Sequence, residues 1–155
     1  MLALALPNNK EEVKAQLKEW EQRLNALYDT VESWVKDVDG VECVRGIRPR
    51  RRYPVIEHFH VAAGKDPILI VYKDQRRKRI EFKPGNVWYF NATGSVDVFI
   101  YDKNEIDDVR TLYDFGGING KKSKWILDDL DGEPYQRPFN KKAFLGLLEM
   151  LEKEE

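Results

Sequence analysis

The chain of 155 residues is poor in cysteine and histidine, with one cysteine and two histidines. A single cysteine cannot close a disulfide within the chain or supply a cysteine-based zinc site. The sequence therefore excludes a disulfide-stapled secreted scaffold and a zinc finger. Cys43 lies in the run Val-Glu-Cys-Val, at the start of a predicted strand. We expect its thiol to be buried and inert.

The chain also lacks a hydrophobic run of the roughly 20 residues that a membrane-spanning helix needs. Residues 1–7 are apolar, but no basic region precedes them and the run is shorter than the apolar part of a signal peptide. We therefore expect a cytoplasmic protein without membrane contact. We expect residues 1–8 to form an N-terminal arm. Leu2, Leu4 and Leu6 alternate in it, which is typical of a strand that docks on a sheet edge or on a partner.

No catalytic motif is present. The sequence has no glycine-rich phosphate loop, no nucleophile elbow and no Ser/His/Asp order of a hydrolase. On this ground we expect no catalytic residue, no metal site and no cofactor, and we favour a non-enzymatic protein.

Two groups of residues come close to a metal site. His58 and His60 would share one face of a strand, but no third ligand is near them in sequence. We expect two partly exposed strand histidines. A second group is acidic and fails the spacing of a calcium-binding loop, so we interpret it as a solvated turn: Asp128, Asp129, Asp131 and Glu133.

A nuclease-like pattern lies in the middle of the chain. Glu81 and Lys83, with Asp66 or Asp74 upstream, resemble the acid and Glu-x-Lys pair of restriction-type nuclease cores, where carboxylates hold magnesium. In that family a helix usually follows the lysine, whereas here a Pro-Gly pair and another strand follow. Glu-x-Lys is also a common surface pair on one strand face.

The sequence is well supplied with core-forming residues. Hydrophobic residues make up 42% of it, which argues against disorder. The length suits one domain covering residues 1–155. Residues 9–37 predict one long helix, capped by Asn8 or Asn9. Apolar residues recur in it at spacings of four and three, a heptad seam: Val13, Leu17, Trp20, Leu24, Leu27, Val31 and Trp34.

From residue 41 to residue 127 the apolar pattern changes to alternation, interrupted by turn signals every eight to twelve residues. This pattern predicts an antiparallel meander of five to seven strands, including strands at 55–61 and 87–90. Residues 140–153 predict a C-terminal helix capped by Asn140. The expected fold class is α+β, with both helices packed on one face of the sheet.

Several short motifs resemble small bacterial proteins of unknown function with a helix, an antiparallel sheet and a final helix. The matching pieces are Leu27-Tyr28, Pro84, residues 94–98 (Gly-Ser-Val-Asp-Val), Trp125-Ile126 and Phe144-Leu145. The resemblance implies a bacterial cytoplasmic protein with this architecture. It assigns no activity and no functional residues.

Charge is unevenly distributed along the chain. Residues 41–83 hold twelve basic and five acidic residues, a charge of +7, while the whole chain carries −1. Two clusters flank predicted strands, and if they met at one sheet end they would form a surface for nucleic acid or another polyanion. They are Arg48, Arg50, Arg51 and Arg52, and Arg76, Arg77, Lys78 and Arg79. The alternative is that both are solvated turns.

The helical seam offers a different hypothesis. Packing on the chain's own sheet is the common outcome for such a stripe. Alternatively, the first half of the seam extends past the sheet and binds a protein partner or a second copy through Val13, Leu17, Trp20 and Leu24. We therefore expect a protein-interaction module that uses this seam or an exposed sheet edge. The alternative is nucleic-acid or polyanion binding, with or without nuclease-like cleavage.

Overall fold

The computed structural model describes residues 6–88, 92–117, 122–128 and 136–150. These residues form a long helix, an antiparallel sheet and a second helix, so the predicted α+β class is confirmed. In chain order the elements are α1 (Lys10–Val35), β1 (Val41–Pro49), α2 (Pro54–His58), β2 (Lys65–Lys73), β3 (Lys78–Pro84), β4 (Gly94–Asp102), β5 (Glu105–Asp114), β6 (Trp125–Asp128), β7 (Gln136–Pro138) and α3 (Lys141–Met150).

Both long helices begin at the predicted caps. The Asn9 side chain accepts the Glu12 N–H at 2.9 Å, and the Asn8 N–H donates to the Glu12 carboxylate at 2.7 Å. These bonds satisfy donors that the first helical turn leaves free. At α3 the Asn140 side chain accepts the Ala143 N–H at 2.9 Å. The predicted helix 140–153 extends beyond Met150 into residues outside the described part of the chain.

The seven described strands pair strictly in chain order, each antiparallel to the next. The predicted meander is therefore confirmed. It continues past residue 127 into β7, which pairs with β6. Because each strand pairs with its chain neighbours, the first and last described strands are the sheet's two edges. β1 lies at one edge and β7 at the other.

Both long helices pack on one face of the sheet. Phe82 of β3 is fully buried there, and its ring centroid lies 6.2 Å from that of Tyr28 and 5.9 Å from that of Phe144. Trp20 packs so closely on Gly94 that a Cβ at Gly94 would lie 2.3 Å from the indole ring. Only glycine fits there, because any side chain would displace α1 from the sheet.

One predicted strand is absent, and a second lies partly outside the described residues. Residues 55–61 were expected to be a strand, but Pro54–His58 is a short helix and His60 follows it with a φ of 53°. Pro54 suits the first turn of a helix, and seven alternating residues are too few to distinguish the two structures. The interpretation of His58 and His60 as neighbours on a strand is therefore wrong. In the predicted strand 87–90, Val87 and Trp88 lie outside the strands, and the other two residues are outside the described part.

Candidate functional site

The heptad seam of α1 is part of the chain's own core. Val13, Trp20 and Leu24 are fully buried and Leu17 is 5% exposed. Trp20 packs on Gly94, and its ring centroid lies 6.2 Å from that of Trp125. This outcome corrects the hypothesis that the seam extends past the sheet. These four side chains are covered by the protein itself and offer no surface to a partner.

The two basic clusters lie at opposite ends of the strands that they flank. In the β1–β2 register Pro49 faces Lys65, whereas Val41 faces Lys73. Residues 48–52 therefore lie at one end of β1, and residues 76–79, which turn from β2 into β3, lie at the other. At about 3.3 Å per residue, a nine-residue strand separates them by roughly 25 Å. The clusters do not meet at one sheet end.

Arg50 of the first cluster is buried and links three parts of the chain, and we call its set of contacts the Arg50 staple. Its side chain is 3% exposed, and its guanidinium contacts Asp66 and Glu21, each at 2.7 Å, as well as the carbonyls of Ala63 and Lys65. Burial raises the pKa of Asp66, against the lowering effect of its hydrogen bond with Arg50. The staple joins the end of β1 to the start of β2 and to α1.

Other cations of the clusters also contact the chain itself. Arg48 donates to the Pro84 carbonyl, and Arg76 contacts Glu42 at 2.7 Å and stacks over the ring of Tyr72. Arg79 stacks 3.9 Å from the ring centroid of Tyr101. Lys78 is buried. Four of the cluster residues are exposed: Arg51, Arg52, Arg76 and Arg77.

The nuclease-like pair is held in an ion-pair row on the sheet face away from α1. The Glu81 carboxylate contacts Arg79 at 3.0 Å and Lys83 at 3.1 Å. Hydrogen bonds from these two cations hold its pKa below its ordinary value, against the raising effect of burial. Asp66 is bound to Arg50, and Asp74 lies in the turn after β2. Within the described ranges, no three acidic, histidine or cysteine side chains are placed to hold a metal ion.

A second buried ion pair lies under α1. The Arg23 side chain is 7% exposed. Its guanidinium contacts the buried Asp114 carboxylate at 3.0 Å and the hydroxyl of Thr93 at 3.2 Å. Asp114 also accepts the N–H groups of Gly116 and Lys124. This network ties α1 to the ends of β4 and β5. Its residues are far apart in sequence, and sequence reasoning did not find them.

The free edge of β1 is the remaining candidate. Gly64 lies just before β2, and its carbonyl accepts the Arg50 N–H at 3.0 Å, which continues the register in which Arg48 faces Asp66. Hydrogen-bonded pairs alternate along an antiparallel ladder. Even-numbered residues of β1 therefore direct their backbone groups toward β2. Odd-numbered residues direct theirs away from it: Val41, Cys43, Arg45 and Ile47. Within the described part of the chain, no strand pairs with that side.

The side chains of these four residues lie on the helix side of the sheet. Arg45 folds over the helix side, where its guanidinium contacts Asp29 at 2.5 Å and also Glu32. Cys43 is half-buried, and burial raises the pKa of its thiol to about 11. Ile47 is 63% exposed, a large apolar side chain on an open edge. Sequence reasoning named a sheet edge without naming these residues. The first strand of a meander is an edge, which was the usable signal.

The N-terminal arm is described only from Leu6 onward. Leu6 and Pro7 border a small groove with Val55, His58 and Phe59, beside α2. Leu2 and Leu4 of the predicted docking strand lie outside the described residues. No helix in the described part of the chain is long and apolar enough to cross a membrane.

Comparison with known proteins finds no relative of this chain. No model of a protein family matches the chain, and neither a curated protein nor a solved structure is similar to it. The resemblance to small bacterial proteins therefore rests on the sequence pattern alone.

Proposed function

We propose that this chain is a protein-binding module that accepts an extended segment of a partner along the free edge of β1. The observation that carries the proposal is the outward row of backbone groups at Val41, Cys43, Arg45 and Ile47. Unpaired strand edges template the addition of another strand, and backbone hydrogen bonds supply much of the affinity.

The protections that usually blunt an edge are weak on β1. The strand is nine residues long, and its register with β2 is continuous without a bulge. Pro49, which lacks an N–H, lies at its last position only. The Arg45 side chain places a charge on the helix side of β1, but Asp29 and Glu32 of α1 already neutralise that charge. A strand laid beside β1 would therefore not bury an unpaired charge.

The geometry favours this function over polyanion binding. A polyanion site needs several unengaged cations on one surface. Here the clusters lie at opposite strand ends, and Arg48, Arg50, Arg76 and Arg79 contact carboxylates or carbonyls of the chain itself.

A selection of extended peptides tests the proposal. A displayed random peptide library is selected on the immobilised protein, and selected peptides are titrated against Ile47→Pro and its matched control Ile47→Val. Proline at this position removes one outward N–H without removing a bond to β2. We expect about a tenfold loss of affinity for Ile47→Pro, the value of one hydrogen bond, and little change for Ile47→Val.

Amide hydrogen exchange supplies the second measurement. A bound peptide should slow exchange at Cys43, Arg45 and Ile47, whose N–H groups face the edge, more than at Val44 and Gly46, which already bond to β2. The proposal is overturned if the selected peptides bind Ile47→Pro as tightly as the unchanged protein and leave these amides unprotected. Binding would then take place elsewhere on the protein.

A further inference from the structure

The charges of β1 are placed so that two antiparallel copies of the strand, centred on Arg45, would complement each other. Glu42 lies three residues before Arg45, and Arg48 lies three residues after it. Cys43 and Ile47 lie two residues away on either side. If two copies of β1 pair antiparallel with a two-fold axis at Arg45, each Glu42 faces an Arg48 of the other copy, and each Cys43 faces an Ile47.

From this arrangement we infer that the partner strand on the β1 edge is β1 of a second copy of this chain, paired about Arg45. The inference rests on the proposed function, since it names the occupant of the same edge. The hydrogen-bonding phase allows this register, because Arg45 is one of the odd-numbered residues whose backbone groups face outward. Facing residues in an antiparallel pair must share one phase: Arg45 would face Arg45 and Cys43 would face Ile47 as hydrogen-bonded pairs, and Glu42 would face Arg48 as a non-hydrogen-bonded pair.

The side chains fit the same register. Glu42 and Arg48 lie on the sheet face away from α1, and opposite charges directly across a strand pair are favourable. The Glu42 side chain is 54% exposed and contacts Arg76 of its own chain, so Arg48 of a second copy would join an existing ion pair. Arg48 donates to the Pro84 carbonyl through one guanidinium nitrogen, and a guanidinium carries five N–H donors. On the helix side, Ile47, which is 63% exposed, would be covered by Cys43 of the other copy.

The unfavourable contact in this register is Arg45 facing Arg45. Like charges across a strand pair are destabilising. Each guanidinium is already held over its own α1, with Asp29 and Glu32 around it and the ring of Tyr28 5.6 Å below. The repulsion is therefore neutralised locally. One pair of nine-residue strands is a small interface, and we expect a weak, concentration-dependent dimer.

Two charge reversals test the pairing. Glu42 and Arg48 of one chain are six residues apart, roughly 20 Å along the strand, so they cannot pair within a chain. In Glu42→Arg every cross-strand charge pair becomes Arg–Arg, and in Arg48→Glu it becomes Glu–Glu. A mixed dimer of the two variants restores opposite charges at both pairs.

Sedimentation across a concentration series measures the association. We expect the unchanged protein to dimerise, each variant alone to dimerise about tenfold more weakly, and an equimolar mixture to regain the original strength. Circular dichroism and thermal melts of each variant confirm folding. Glu105→Arg and Arg52→Glu, exposed reversals away from the edge, are matched controls that should leave dimerisation unchanged.

The outcomes separate the possible occupants. A mixture no stronger than either variant alone, or an unchanged protein that stays monomeric throughout, overturns the pairing. Loss of the dimer on deleting residues 1–5 also overturns it, because the association then depends on the N-terminal arm and not on the pairing of two β1 strands. If the protein is monomeric while selected peptides still protect the Cys43, Arg45 and Ile47 amides, self-pairing fails and the proposed function stands.

Discussion

The two edges of the sheet differ in length and in protection. β1 spans nine residues, has a regular register with β2, and presents an outward row of backbone groups. β7 spans three residues and ends in Pro138, which has no N–H to offer. Short strands and prolines are the usual means of blunting an edge. The contrast shows that β1 is the less protected of the two edges. Such an edge has to be combined with firm anchoring of the strand to the rest of the fold.

That anchoring is strongest at the end of β1. Arg50 follows the strand and is fixed by Asp66 and Glu21, while Arg45 in the middle is held by exposed carboxylates of α1. The interactions that hold β1 therefore grade from a buried ion pair at one end to a solvated pair in the middle.

Removing Asp66 should have the largest effect. Asp66→Ala leaves the buried Arg50 guanidinium without its main counter-charge, which destabilises by roughly 3–5 kcal/mol. The remaining contacts with Glu21 and two carbonyls place the loss toward the lower value. Urea unfolding followed by circular dichroism measures it. Asp66→Asn retains an acceptor for Arg50 and should lose less. A stability within about 1 kcal/mol of the unchanged protein would mean that the staple does not anchor β1.

Proline substitutions at Val44 and Ile47 compare the two sides of β1. Val44→Pro removes an N–H that bonds to β2 and leaves the facing carbonyl of Ile70 without its partner, so it should destabilise by about 3 kcal/mol. Ile47→Pro removes an outward N–H and should cost less than about 1 kcal/mol. Urea unfolding of both, with Val44→Ala and Ile47→Val as controls, measures the difference. Equal losses of stability in Val44→Pro and Ile47→Pro would contradict the assignment of Val44 N–H toward β2 and Ile47 N–H toward the edge.

These elements also show how far the sequence predicts the structure. The spacing of Val13, Leu17 and Trp20 and the caps at Asn9 and Asn140 predict both long helices, because those signals are local. The predicted strand at 55–61 is wrong because seven alternating residues suit a strand or a short helix equally. Pro54 at the first helical position favours the helix.

The anchoring and the edge were harder to predict for a different reason. The staple joins Arg50 to Glu21 and Asp66, which are distant in the sequence until the register brings them together. Whether the backbone N–H of Ile47 points away from β2 depends on which residue of β1 faces which residue of β2. The alternation of apolar residues does not determine that register. The position of β1 at an edge was predictable, since a meander places its first strand there.

Replacing Arg45 sharpens the contrast between the staple and the solvated pair. Arg45→Met keeps much of the side-chain packing over Tyr28 and removes the charge that Asp29 and Glu32 share. Because the pair is solvated, the loss of stability should be below about 1 kcal/mol. Thermal unfolding at low and high salt measures it. A loss as large as that of Asp66→Ala would show that the middle of β1 is anchored as firmly as its end.

The Cys43 thiol reports on the edge without a change of stability. Burial raises its pKa to about 11, so the reactive thiolate is scarce at neutral pH. Iodoacetamide labelling, followed by mass spectrometry of the intact protein, should speed up about tenfold per pH unit between pH 7 and pH 10, since the thiolate fraction rises in that proportion below the pKa. In urea the thiol should have its ordinary pKa and react much faster at pH 8. A labelling rate that levels off near pH 9 in the folded protein would mean that the thiol is solvated, and that the helix side of β1 at Cys43 is more open than its contacts indicate.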